Sequence, residues 1–456
     1  MTIALLICVA ALLTFAYLRV WPNPYRKGPF LPDTYLLGLA IYAAGALFVA
    51  GTTTIADADV LATMALLALI SSLAGAILFC VAFGKTYARS SAEPRFAPSI
   101  VEIDRKFTLV IATFSTLACV YFIYRLSRSP IVSQFLSLRN LINSDSLRYA
   151  RAAVEHGTAG YMAPGYIKQF RDTLLPISLF AMIFLLVRPF KSPIFIGTLL
   201  ATILAMFING VRSPVIFLLL GLWLSVAYRQ AQGGAAVRST RSRVRYFVTI
   251  ASLVLVFWIG LSAALGRSGG KDASAFDIPL NAVAGLADRV VVAPAIVNAQ
   301  TYQIWGHMGP IGWEFWGATL ASITKSNGPN QEAITHLANY LSFASGSGPL
   351  GNAPLYLPPD VWMVGGWVGL AIIPAIYAFL IGLLDIALAS ERSPLFLSMR
   401  IYMFFELPLC VSPYLFILYG GAMCLMLIAG LKAAYFFASR QSAKRVEVGR
   451  LPHGAL

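Results

Sequence analysis

The chain has 456 residues, of which 58% are hydrophobic and 12% charged, with a formal net charge of +15. A soluble domain carries about a quarter charged residues, so this balance excludes an ordinary soluble protein. The positive charges are scattered among apolar runs, which excludes a nucleic-acid-binding surface and favours anionic lipid head groups or an anionic substrate.

Apolar runs recur from the amino terminus onward, several of them near the ~20 residues that cross a bilayer as a helix. They do not alternate as barrel strands would. About eleven spans, within a range of ten to twelve, are predicted by hydropathy. They lie near residues 2–20, 35–50, 60–84, 107–124, 174–188, 194–211, 213–228, 246–265, 361–389, 395–411 and 413–438. The first lacks a charged leader and a cleavage site, and it is expected to be retained as a membrane helix. The five cysteines all lie in apolar runs and form no CxxC pair, so neither a disulfide framework nor a metal site is expected from them.

Basic residues cluster at 85–106, 229–245 and in the tail, which the positive-inside rule places in the cytoplasm. Strict alternation then sends two long loops to the external side. The expected organisation is amino-terminal membrane helices over 1–124, a first external loop over 125–173, and central membrane helices over 174–265. A second external loop follows over 266–360, then carboxy-terminal membrane helices over 361–438 and a cytoplasmic tail over 439–456.

The first loop carries Arg125, Arg128, Arg139, Arg148, Arg151, Lys168 and Arg171, against the usual charge bias. Ser129-Pro130 opens a predicted amphipathic surface helix with Ile131, Phe135, Leu138 and Ile142 on one face. A second predicted helix carries Arg148 and Arg151 one turn apart. Two guanidiniums on one face suit a diphosphate, and they equally suit a solvated surface.

Between the sixth and seventh runs lies FINGVRSPVIF, residues 207–217. Asn209-Gly210 makes a turn and Ser213-Pro214 starts the next helix. Arg212 then sits at a helix amino terminus, where the macrodipole is already positive. A bound anion would reverse that penalty; the plainer alternative is an arginine reaching for the membrane surface. Further on, Arg267 and Lys271 flank Gly269-Gly270, and Arg289 follows.

Candidates for proton transfer are few. His307 and Glu314 lie seven residues apart among glycines and tryptophans in the second loop. Asp385, Arg400 and Glu406 fall in or near late spans and are expected to pair with one another inside the bundle. HExxH and P-loop signatures are absent from the sequence.

Three passages, FINGVRSPVIFLLLGL (207–222), SLRYARAAVEHGTAGY (146–161) and GSGPLGNAPLYLPPDVWMVGGWVGLAIIPAIYAFLIG (346–382), resemble the bacterial polymerases of lipid-linked oligosaccharide repeat units, the O-antigen polymerase type. In the last passage a Gly/Asn stretch leads into a helix expected to begin at Gly-Gly-Trp-Val-Gly. The resemblance implies an all-α polytopic membrane protein of GT-C-like fold in the bacterial inner membrane, with its active site facing the periplasm.

It also implies a glycosyltransferase of surface-polysaccharide or lipopolysaccharide biosynthesis that needs no cofactor and no metal. The partners implied are an undecaprenyl-diphosphate-linked oligosaccharide, membrane lipids and a chain-length regulator protein. On this reading Arg212, Arg148, Arg151, Arg267 and Arg289 hold the diphosphate, while His307 or Glu314 serves the acceptor. An O-antigen ligase that transfers glycan to lipid A core is the nearest rival. A flippase or transporter of lipid-linked sugars is the rival from another class.

Overall fold

The computed structural model describes residues 2–20, 30–52, 57–90, 96, 98–127, 169–208, 213–232, 291–292, 294–296, 298–299, 302, 309–310, 312–313, 357–390, 393–407 and 420–448. Among them the chain is helical, with no strand. It is a helical membrane protein. Five helices are long and apolar enough to cross a bilayer, with spans Ile3–Val20, Leu31–Thr52, Ala58–Tyr87, Ile100–Tyr124 and Leu357–Ala389.

In chain order the helices are α1 (Thr2–Val20), α2 (Leu31–Thr52), α3 (Ala58–Ser90), α4 (Pro98–Ser127) and α5 (Leu175–Leu185). After them come α6 (Pro193–Ile208), α7 (Ser213–Gln232), α8 (Leu357–Ser390), α9 (Pro394–Glu406) and α10 (Ala422–Val448). A π-helical turn, Gln169–Leu174, leads into α5. These helices overlap ten of the expected spans, five of them long and apolar enough to cross a bilayer; the expected span near 246–265 lies outside the described residues. The second span is longer than hydropathy suggested, because Pro32, Asp33 and Thr34 belong to the first turn of α2.

The helices form two groups. In the first, α3 is central and packs against α1, α2 and α8. In the second, α5 is central, with α4, α6, α7 and α9 around it. The largest interface is α3 against α8, about 300 residues apart in sequence. It is close because it is made of small residues: a Cβ on Gly75 would lie 2.0 Å from the Ala375 carbonyl oxygen. Outward faces are apolar, as with Leu5, Leu12 and Leu18 on α1 and Val81 on α3, the surface that a bilayer covers.

Helix α8 is interrupted twice. Gly366 has φ 57° and ψ −147°, a conformation open to glycine, so the helix expected to begin at Gly365-Gly366 is instead a break within a longer one. Pro374 then removes a backbone donor. The Ser71 hydroxyl repairs that point from α3: it donates to the Ala371 carbonyl at 2.7 Å and accepts from the Ala375 N–H at 3.1 Å. A side-chain oxygen therefore stands in the helical ladder where proline weakens it.

The two groups meet through α9, which contacts α8 and α2 as well as α5. Arg400 of α9 grips Asp385 of α8 bidentately, with Nε–Oδ1 2.5 Å and Nη2–Oδ2 3.1 Å, and also donates to the Tyr87 hydroxyl of α3. The Leu31 backbone N–H at the start of α2 also reaches the Asp385 carboxylate. The expected pairing of late-span charges holds for Asp385 and Arg400, and it ties four helices at one point.

Candidate functional site

Chain directions fix which segments share an end of the bundle. Arg229, near the end of α7, donates to the Ile183 carbonyl at 2.5 Å and the Val187 carbonyl at 3.0 Å, satisfying the last acceptors of α5. The end of α7 therefore lies beside the end of α5, and the start of α7 beside the π-turn. The start of α9 is held by Asp104 near the start of α4: Ser393 Oγ donates to its carboxylate at 2.6 Å and the Leu395 N–H at 3.1 Å. A carboxylate on free N–H groups is the favoured cap for a helix start. Tyr435 of α10 also donates to Asp104.

The ends of α4 and α9 consequently lie at the opposite end of the bundle, together with the π-turn and the start of α7. The described parts of 291–313 gather at the corresponding end of the first group. Ala295 and Ala299 are buried against Tyr42, Ala46 and Leu61, and a Cβ on Gly45 would meet the Val291 carbonyl oxygen at 1.9 Å. The Gly312 N–H donates to the Met363 carbonyl at 3.1 Å, and Tyr302 meets Trp362 edge-on at 5.1 Å. Burial raises the Tyr302 hydroxyl above its ordinary pKa, and the negative charge of Asp57 adds to this. The π-turn, the described parts of 291–313 and the start of α8 thus share one end of the bundle, and α7 begins there at Ser213, the residue after Arg212.

A cleft opens at this end between α5, α7 and α9. It is shallow, with room inside for about one water molecule, and its walls include Asp172 and Phe180, Phe217, and Tyr402, Phe405 and Glu406. Three positions shape it. Phe180 fits because α7 has glycine at 221, where a Cβ would stand 2.1 Å from the ring. Phe217 and Phe405 stack with centroids 6.2 Å apart and planes 29° apart. Gly420, with φ 111°, presses against Thr173 Oγ1 and the Tyr402 hydroxyl from a third side.

The polar groups of the cleft are held in place. Arg171 is 3% exposed and binds Asp172 through Nε and Nη2, both at 2.6 Å. A bidentate guanidinium fixes both the charge and the orientation of that carboxylate. The Tyr402 hydroxyl is 3.1 Å from Thr173 Oγ1. Glu406 ends α9 at the mouth of the cleft, six residues beyond Arg400.

Arg148, Arg151, Arg212, Arg267, Arg289, His307 and Glu314 lie outside the described residues, as do the two expected loop helices. Of the seven loop-one basic residues, Arg171 is the one the structure describes in full, and it is paired within the cleft wall. Glu406, expected to pair with Asp385 and Arg400, lines the cleft instead: six residues of helix carry it ~9 Å from Arg400. Asp172 and Tyr402 carried no sequence signal, because 230 residues separate them and only the fold brings them together. Among the described residues no cluster of His, Cys, Asp and Glu could hold a metal ion. The described cysteines, Cys8, Cys80, Cys119 and Cys424, are free.

No family model, curated protein or solved structure matches this chain.

Proposed function

We propose that the chain polymerises polyprenyl-diphosphate-linked oligosaccharide repeat units at the periplasmic face of the bacterial inner membrane, passing the growing glycan to an incoming lipid-linked unit. The observation that carries this reading is the cleft. It lies at the end of the bundle that holds the π-turn and the described parts of 291–313, where α7 starts directly after Arg212. A helix start following an arginine suits a phosphate group, and an adjacent shallow cleft with carboxylates and aromatic walls suits a hydroxyl at the edge of a sugar.

The chemistry asks for these two features side by side. As the glycosidic bond to the lipid diphosphate breaks, negative charge grows on the leaving group, and guanidiniums at a water-poor interface stabilise it. Arg212 takes that role first, with Arg148, Arg151, Arg267 and Arg289 as the further diphosphate contacts. The acceptor hydroxyl needs a proton acceptor beside the anomeric carbon, for which the sequence offers His307 or Glu314.

The test is incubation of the full-length protein in lipid nanodiscs with lipid-linked repeat units extracted from cells that make it. A ladder of lipid-linked chains is expected on a gel. Arg212→Gln should lower the rate by about 100- to 1,000-fold, the usual cost of one donor to a developing charge. An unchanged ladder in that variant overturns the role of Arg212. A single transfer to lipid A core would identify a ligase, and movement across the bilayer without a new bond would identify a flippase; either result overturns the polymerase reading.

A further inference from the structure

We propose that the bend in α8 at Gly366 is a seat that positions the second loop for glycosyl transfer, with Gly366 as its positioning residue; the inference rests on the glycosyl-transfer reading above and names what holds the stretch that carries His307 and Glu314.

The bend is sharp. A straight helix separates residues eight apart by ~12 Å. Across the bend, a Cβ on Gly369 would lie 3.1 Å from the Val361 carbonyl oxygen and 3.6 Å from the Val361 side chain. The arm formed by residues 357–365 therefore turns back toward the rest of α8. Glycine permits this twice. Gly366 takes φ 57° and ψ −147°, a region that essentially glycine alone adopts, and Gly369 has no side chain to hold Val361 away. Beyond the bend α8 belongs to the seam with α3, where Ser71 bonds Ala371 and Ala375. Before it, the arm meets the second loop.

Three contacts join the arm and the bend to that loop. Tyr302 meets Trp362 edge-on at 5.1 Å, the Gly312 N–H donates to the Met363 carbonyl at 3.1 Å, and a Cβ on Gly366 would stand 3.2 Å from Pro310. In an unbroken helix the Met363 carbonyl accepts from the N–H four residues on. Here the loop supplies a donor. Backbone that leaves helical form in a membrane bundle is tolerated where protein groups satisfy it. The loop side is shaped to fit: Gly309 and Gly312 have φ 75° and 89°, values that turn the chain tightly on either side of Pro310. A separate hold lies upstream, where Ala295 and Ala299 are buried against Tyr42, Ala46 and Leu61.

Chain order gives the seat its function. His307 falls between Tyr302 and Gly309, and Glu314 is the residue after Trp313. The stretch with both proposed proton acceptors is thus fastened on each side of the first and directly before the second. In the transfer, the acceptor oxygen bonds to the anomeric carbon of the donor glycan. The bond from that carbon to the diphosphate oxygen breaks, and its electron pair leaves on the lipid diphosphate. The hydroxyl proton passes to His307 or Glu314 and then to water. A displacement of about 1 Å at a reacting group can cost on the order of 100-fold in rate, which is what fastening prevents. Gly366 acts through the turn it seats.

The experiment uses full-length protein in nanodiscs with the extracted lipid-linked repeat unit, and it compares the natural chain with Gly366→Ala, Gly312→Ala and Gly430→Ala. A methyl group at 366 meets Pro310 and a backbone conformation closed to it; one at 312 strains the turn from the loop side and leaves the α8 sequence intact. Gly430, in α10, has nothing within 4 Å and should match the natural chain. Each of the first two variants is expected to lower kcat about 100-fold, with KM for the donor changed less than about threefold. Their rate should also keep rising with pH where the natural chain levels off, because hydroxide replaces a base held out of place. Hydrogen exchange reads the seat without turnover: over 309–313 it should rise at least about tenfold in both variants, while 291–299 stays protected.

A ladder from the natural chain, with both variants matching its rate and pH profile, overturns the positioning role and leaves the polymerase reading standing. Unchanged exchange over 309–313 in Gly366→Ala overturns it as well. If Gly366→Ala fails to fold, Gly312→Ala decides on the same readings. The absence of any ladder from the natural chain overturns both the positioning role and the polymerase reading.

Discussion

The α3–α8 seam and the α5–α7–α9 cleft use polar groups in opposite ways. In the seam, Ser71 places its hydroxyl on the backbone of the facing helix, and Ser72 shares its own with Tyr35 at 3.2 Å. Glycine brings the two backbones into contact. Around the cleft, bulky aromatics hold the helices apart, and a carboxylate ends a helix where an anion is unwelcome. Lipid offers little drive for helices to associate, so close packing and shared hydrogen bonds must hold a bundle together. The seam supplies that cohesion, which leaves the second group free to keep a polar opening.

Asp385 and Arg400 join the two regions, and breaking this joint should have the largest effect on stability. Asp385→Leu leaves a buried guanidinium without its partner, a loss of about 3–5 kcal/mol. Thermal unfolding in detergent should show it as a fall in melting temperature and in yield. The double replacement Asp385→Leu with Arg400→Leu should recover most of the loss, since it removes the stranded charge as well. Simple addition of the two single losses would show that the pair is not what couples the groups.

Much of this architecture is legible in the sequence, and the reason differs between regions. Runs such as 60–84 and 361–389 report their helices directly, because length and apolarity suffice. Ser213-Pro214 marks the start of α7 through local backbone chemistry. The Asp385–Arg400 pair follows from the cost of isolated charge in lipid. The cleft does not follow from any such rule. Gln169–Leu174 reads as an ordinary polar approach to a helix, and its π-turn depends on packing against α4 and α10. Glu406 resembles its neighbour Arg400 in sequence, yet helical rise alone moves it to a different environment. Arg148, Arg151, Arg212, Arg267 and Arg289 lie outside the described residues.

The seam can be tested for the tightness that sets it apart from the cleft. Gly75→Ala forces a methyl group against the Ala375 backbone and should cost about 1–3 kcal/mol, the range for overpacking. Gly84→Ala, in the same helix, meets nothing within 4 Å and should be near neutral. Equal effects from the two, measured by unfolding in mixed micelles, would mean that α3 and α8 are not in backbone contact.

The smallest effect is the most specific. Ser71→Ala removes one hydroxyl from the ladder gap at Pro374 and should cost ~0.6–1.7 kcal/mol, the range measured for hydrogen bonds between membrane helices. If the hydroxyl is there because proline has disturbed the ladder, its value depends on that proline. Pro374→Ala restores a backbone N–H, lets α8 straighten, and should draw the Ala371 and Ala375 groups back to each other. In that background Ser71→Ala should cost much less, a coupling that a double-mutant cycle reads directly. An undiminished cost would mean that Ser71 acts as a simple tether between helices. The polymerisation proposed for this chain should be unaffected by Ser71→Ala, because the seam and the cleft belong to different helix groups. A loss of activity with folding intact would erase the division of labour between them.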